Sequence, residues 1–184
     1  LEFRRVLFRS VNLKILFAPL MQSGAIAQPE RDKALFTIDH QVCDLVLYNN
    51  YQQSLGISVA EMRSPGQLRV WGDVVRFLVE QLGIDQQVQM LPSKQTIADR
   101  RKAGLGLTRP ELARISAFAK MWIYNAFVAD RGCAKAVEQR WLDYYFPPFV
   151  REHYAKAIDG HMLRHEIVCT LWTNELVDFG TEIG

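Results

Sequence analysis

Between Thr108 and about Asp130 the apolar residues Leu112, Ile115, Ala119, Trp122 and Ala126 recur at steps of three and four, widened by Phe118, Ile123 and Phe127. That spacing follows the 3.6-residue turn of an α-helix and predicts an amphipathic helix as the central packing element. Its start is written into Gly106-Leu107-Thr108-Arg109-Pro110-Glu111-Leu112-Ala113. Thr108 can accept from the free N–H groups of the first turn, Glu111 can reach back, and Pro110 stands where no N–H is needed.

The same period runs through almost the whole chain. Val11 to Met21 reads as a short apolar helix broken or bent near Pro19, and Pro29 with Glu30 starts the next. Asp39 is placed to cap a long helix to about Met62, with Val42, Leu45, Val46, Leu55 and Val59 as apolar contacts, and Ser64-Pro65-Gly66 ends it. Leu68 to Leu82 forms a further helix carrying Val70, Val74, Phe77 and Leu78, stopped by Gly83. Ser93 caps a short helix through Ala103. Arg131-Gly132 breaks the central helix, Val137, Trp141, Leu142 and Tyr145 mark another, and Pro147-Pro148 forces a new direction. Phe149 to Ile158 and His161 to Phe179 complete the set. No window alternates with period two between hairpin turns, so the expected fold is all-α, an irregular multi-helix array with short loops.

Residues 1–10, Leu-Glu-Phe-Arg-Arg-Val-Leu-Phe-Arg-Ser, match in one frame the translation of a sequencing-library adapter, and we read them as an artefact to be left out of fold reasoning. With no initiating Met and no evident end signal, the chain reads as an internal piece of a longer protein. Of the 22 basic and 20 acidic side chains, three Arg and one Glu lie in that stretch, which leaves 19 of each. The remainder is formally neutral, so charge gives no support for nucleic-acid or anionic-membrane binding. About 174 residues can bury roughly 70 % of their unfolded surface, enough for a core. No apolar run reaches the roughly 18 to 20 residues a membrane span needs. Cys43, Cys133 and Cys169 are far apart and form no CxxC pair, which points to reduced thiols in a cytoplasm.

Three patterns resemble functional chemistry. Gly104-Leu105-Gly106 has the look of a phosphate-binding loop, but Arg109 stands where the third glycine belongs and no strand precedes it. A helix end followed by a turn explains it better, with Arg100-Arg101-Lys102 complementing the carboxyl-end dipole. His161, His165 and Cys169 lie four residues apart, so one helix would turn all three to one face, beside Glu166 and near His153 in sequence. Three successive turns span roughly 12 Å, too far for one metal ion to join the outer pair. The competing reading is a helix-starting His161, a surface His165 and a core Cys169. No GxSxG elbow or local nucleophile pair with histidine occurs. No catalytic, cofactor-binding or metal-binding residue is therefore assigned within the chain.

Several segments, in order, carry a resemblance. Val11-Asn12-Leu13-Lys14-Ile15-Leu16 is similar to a VNIKIL segment, and Val46 to Ser54 to a VLRDNYLQS helix. Leu91-Pro92-Ser93 with Ile97-Ala98-Asp99-Arg100-Arg101 is similar to LPSDEEIAERR. The stretch from Gly106 to Ala113 matches a GLTRPELA start, Tyr145-Phe146-Pro147-Pro148 a YFPP element, and Leu163 to Ile167 with Thr173 to Val177 match LRREI and TNRLV. Together they resemble the C-terminal region of the large bacterial NAD-specific glutamate dehydrogenases. Tyr48, Asn49 and His165 depart from the family's charged residues at those positions.

The resemblance implies an enzyme that oxidatively deaminates L-glutamate to 2-oxoglutarate and ammonium, passing hydride to NAD. It implies a cytoplasmic homo-oligomer, without nucleic-acid or membrane partners, whose nucleotide-binding glycines and catalytic lysine lie upstream of Val11. Residues 11–64 would then finish the dehydrogenase domain, and 65–184 would begin a C-terminal helical domain, with the chain inactive alone. The alternative is a free-standing helical interaction module, with Trp122, Phe127, Trp141, Tyr144, Tyr145 and Phe146 suited to an interface. The upstream reading frame separates the two.

Overall fold

The computed structural model describes the backbone of residues 2–130, 132 and 138–183, with side chains over 9–177 of that range. Among the described residues every regular element is a helix: α1 (Glu2–Gln22), α2 (Gln28–Glu80), α3 (Lys94–Ala103), α4 (Arg109–Ala129), α5 (Glu138–Tyr145), α6 (Pro148–Asp159) and α7 (Arg164–Ile183). The fold is all-α, as the periodicity predicts. None of these helices is long and apolar enough to cross a membrane.

Two expected breaks are absent. Pro19 lies inside α1, one turn from its end, where a missing N–H costs a single intrahelical bond and the fixed proline φ is already helical. Pro65 lies inside α2, which runs unbroken through the expected cap at Asp39 and the expected stop at Ser64-Pro65-Gly66. Other signals act where the sequence puts them. Ser93 Oγ accepts from the Thr96 N–H at 3.0 Å, and Gly104 closes α3 in the left-handed region at φ 67°. Gly83 takes φ 65° just past α2. The expected break at Arg131 and the expected contact of Val137 fall outside the described residues, as does Cys133.

By compactness the chain divides into two units, Leu1–Tyr51 with Phe127–Trp172, and Gln52–Ala126 with Thr173–Gly184. In the first, α6 packs on both α1 and α5. Leu16, Phe17, Leu142, Phe146, Val150 and Val168 are almost wholly buried, and Phe17 meets Tyr154 edge to face at 5.0 Å. Arg164 Nε pairs with Glu138 at 2.5 Å. In the second unit, Ala60, Leu68, Val75, Leu78, Leu91, Leu107, Leu112 and Ile115 form one apolar cluster, with Trp71, Phe77 and Phe118 packed against it.

The central stripe is buried only in part. Leu112 and Ile115 are inaccessible, whereas Trp122 is 45 % exposed and Ala126 is exposed. Trp122 still lays its ring edge-to-face on Phe77 at 5.0 Å, which holds one side of the indole and leaves the other in solvent. Val70 and Leu55, expected as contacts, are also exposed. In a helix as long as α2 the inward face drifts around the axis, and these two positions fall outside it.

Candidate functional site

The GLTRPELA stretch sits against the proline of α2. Pro65 has no N–H to give to the Glu61 carbonyl, and the Ser64 hydroxyl supplies the missing donor at 3.0 Å. The same Oγ accepts from the Leu107 N–H at 2.9 Å, in a position closed to solvent. Gly106 lets the chain come this near: a Cβ there would stand 1.9 Å from Ser64 Oγ and 2.8 Å from Pro65 Cδ. This explains why α2 survives Ser64-Pro65-Gly66. A serine beside the proline and a glycine from a loop far along the chain replace the lost bond.

The remaining residues of the stretch are engaged in turn. Arg109 Nη1 donates to Ser58 Oγ at 2.7 Å and stands 3.4 Å from Glu61 Oε2. Glu111 Oε2 accepts from the Thr108 N–H at 2.8 Å, which is the expected reach-back. The Thr108 hydroxyl donates to the same carboxylate at 2.8 Å instead of accepting from the first turn. Arg100 grips Glu111 through two nitrogens, at 2.5 and 3.0 Å. A two-pronged guanidinium–carboxylate pair is among the stronger charge contacts available to a half-buried site. Burial raises the Glu111 carboxyl, but the Arg100 guanidinium and both Thr108 donors outweigh it and hold the group below its ordinary value.

A second junction joins the VNLKIL and YFPP segments. Asn12 Nδ2 donates to the Tyr145 hydroxyl at 2.6 Å, and the Asn12 carbonyl receives His161 Nε2 at 3.0 Å. His161 Nδ1 accepts from the Leu163 N–H at 3.1 Å, so the proton of the neutral ring is on Nε2. Arg9, within the stretch read as adapter-derived, stacks over the Tyr145 ring and donates to the Tyr145 carbonyl. Burial raises the Tyr145 hydroxyl above its usual value, against the opposing pull of Asn12 and Arg9.

The metal pattern does not assemble in this geometry. His161 precedes the first residue of α7, so it does not share a helix face with His165 and Cys169. The His165 ring points to the Val128 carbonyl at 3.2 Å and lies 3.6 Å from Cys169 Sγ. It is half-buried, not the surface residue expected, because its ring is drawn to that carbonyl; Cys169 is in the core. His153 stacks on Phe149 and bonds its carbonyl. Among the described residues no three His, Cys, Asp or Glu side chains converge on a point. An apolar cleft runs beside Ile15, Pro19, Lys156, His161 and Met162, but both His161 nitrogens are already engaged.

The glycine run does not fit a dinucleotide either. Gly104 terminates α3, Gly106 is packed on Ser64 and Pro65, and the first N–H of the turn is taken by Glu111. A pyrophosphate would need those amides free at a strand-to-helix turn. Sequence reading missed Ser64, whose partner Leu107 is far along the chain, and the Arg100–Glu111 pair, which forms only once the turn at Gly104 folds the end of α3 back on the start of α4. The adjacent Ser-Pro pair was the available signal.

Comparison with known proteins matches the same segments. The family described as "Bacterial NAD-glutamate dehydrogenase, catalytic domain" matches residues 8–60, and "Glutamate dehydrogenase, C-terminal" matches residues 104–182. The NAD-specific glutamate dehydrogenase of Mycobacterium tuberculosis is 34 % identical over 168 residues, 91 % of this chain and 10 % of the relative. Those of Halomonas elongata and Pseudomonas aeruginosa are 28 % and 30 % identical, over 92 % and 91 % of the chain and again 10 % of each relative. The chain thus spans about a tenth of the length of the curated relatives it matches. Two family matches in order and relatives aligned across nine-tenths of the chain lead to one assignment: the chain belongs to the bacterial NAD-specific glutamate dehydrogenase family.

Proposed function

We propose that this chain is a scaffold segment of an NAD-specific glutamate dehydrogenase, one that deaminates L-glutamate oxidatively to 2-oxoglutarate and ammonium with hydride passing to NAD. The observation that carries the reading is the use made of the signature residues. Gly106, Leu107, Thr108, Arg109 and Glu111 each meet a structural partner, and so do Asn12 and Tyr145. Backbone and side-chain groups engaged in this way hold helices in register. Residues 11–64 complete the dehydrogenase domain and 65–184 begin a C-terminal helical domain. NAD and glutamate are bound by parts of the parent polypeptide outside this chain, in a cytoplasmic homo-oligomer, and residues 1–10 are adapter-derived.

The test is a glutamate-dependent NADH assay on the purified chain and on a parent-length polypeptide carrying it. The reading expects NADH from the second alone. Turnover by the chain itself refutes it.

A further inference from the structure

The first half of α2, up to Tyr51, is apolar on two sides. Ala34, Ile38, Val42 and Val46 form its buried side. On another side Phe36, Leu47 and Tyr51 are 79 %, 66 % and 65 % exposed. At 3.6 residues per turn these three return to one stripe, roughly 22 Å long at 1.5 Å per residue, with exposed His40 and Cys43 on it between Phe36 and Leu47. A helix apolar on opposite sides belongs between two layers, and a lone soluble chain seldom leaves such a stripe in water.

The stripe lies within residues 8–60, the stretch matched by the catalytic-domain family, while the chain spans about a tenth of its relatives. The relatives are about ten times as long as this chain, so the parent polypeptide has ample further sequence to cover the stripe. We propose that the Phe36–Leu47–Tyr51 face is an internal packing surface of the catalytic domain, covered in the parent by an apolar element of that same domain. This rests on the dehydrogenase reading above. It adds which face of the segment meets the rest of the domain, and it assigns the exposed aromatics to folding of one polypeptide instead of to a separate partner.

Cys43 is exposed and falls on the same stripe between Phe36 and Leu47, so it serves as a native reporter. Alkylation of Cys43 is followed by peptide mass mapping in the purified chain and in the Mycobacterium tuberculosis relative carrying residues 11–184 in place of its matching segment. NADH formation is measured on the same hybrid preparation. Rapid labelling in the chain and labelling slowed about tenfold or more in the hybrid supports the proposal. Equal labelling in a hybrid that makes NADH overturns it and leaves the dehydrogenase reading intact. Slowed labelling in a hybrid that makes no NADH supports the covered face and counts against the dehydrogenase reading. Sedimentation of the chain alone gives an independent check. The substitutions Phe36→Glu, Leu47→Glu and Tyr51→Glu together should leave its mass unchanged. A dimer that these substitutions dissociate would make a second copy the occupant and overturn the proposal.

Discussion

Replacing Gly106 by alanine tests the junction at Pro65 at its tightest point. The added Cβ would lie 1.9 Å from Ser64 Oγ, 2.8 Å from Pro65 Cδ and 3.0 Å from Pro65 N, so the hydroxyl must leave or the loop must lift. If the hydroxyl leaves, the Leu107 N–H and the Glu61 carbonyl lose their partner, and a buried unsatisfied group costs about 1–3 kcal/mol. If the loop lifts, Leu107 leaves the apolar cluster, and strain from overpacking adds about 1–3 kcal/mol. The expected loss is about 2–5 kcal/mol, a large share of a typical stability of roughly 5–15 kcal/mol. At this chain length that corresponds to a fall in Tm of roughly 5–20 °C. Two other glycines calibrate the measurement. Gly66 lies in the interior of α2 with open space around its would-be Cβ, and alanine there should stabilise by about 0.5–1 kcal/mol. Gly104 also has room, but its φ of 67° makes alanine cost about 1–2 kcal/mol. Urea unfolding followed by helical circular dichroism should therefore rank the variants Gly66→Ala, wild type, Gly104→Ala, Gly106→Ala in falling stability. A Gly106→Ala variant no less stable than Gly104→Ala refutes the close packing of the loop on Pro65.

Further expectations follow from the same two junctions. Ser64→Ala removes the donor to Glu61 and the acceptor for Leu107, and should cost about 1–3 kcal/mol by urea unfolding; a loss under a few tenths would show that water replaces the hydroxyl. Glu111 has a folded pKa below its unfolded value, so its contribution is present above the unfolded value and disappears as pH falls through the folded one. Glu111→Gln should lower stability at neutral pH and flatten the acid limb of the stability profile, and an unchanged limb would contradict the assigned pairing with Arg100. Tyr145 has a raised folded pKa, so its contribution is complete below the unfolded value near 10 and is lost as pH rises toward the folded one. Tyr145→Phe should reduce the alkaline loss while costing about 1–2 kcal/mol at neutral pH through the orphaned Asn12 amide, both read from urea midpoints against pH.

Local chemistry in the sequence located what local chemistry decides. The Ser93 cap, the left-handed Gly104, the reach-back of Glu111 and the turn at Pro147-Pro148 are each settled within a few residues, and they stand where the sequence placed them. The continuity of α2 was not legible, because the bond that rescues it comes from Ser64 and is locked by Gly106 and Leu107, far along the chain. The central stripe was right in period and wrong in part: Trp122 and Ala126 have the correct spacing, yet Ala126 is exposed and Trp122 packs on one face only, while Phe127 finds its partner in Trp172, by stacking at 4.4 Å. The three-residue His and Cys pattern failed for a related reason. Spacing shows which residues would share a helix face, and His161 lies before the helix begins.

The central claim is that the signature residues of this chain build a scaffold and that its chemistry belongs to other parts of the parent. The most direct measurement is glutamate-dependent NADH formation by the purified chain, with a cooperative thermal transition recorded on the same sample. The account predicts a folded chain and no NADH above the glutamate-free blank. A folded chain that reduces NAD when glutamate is added would contradict it.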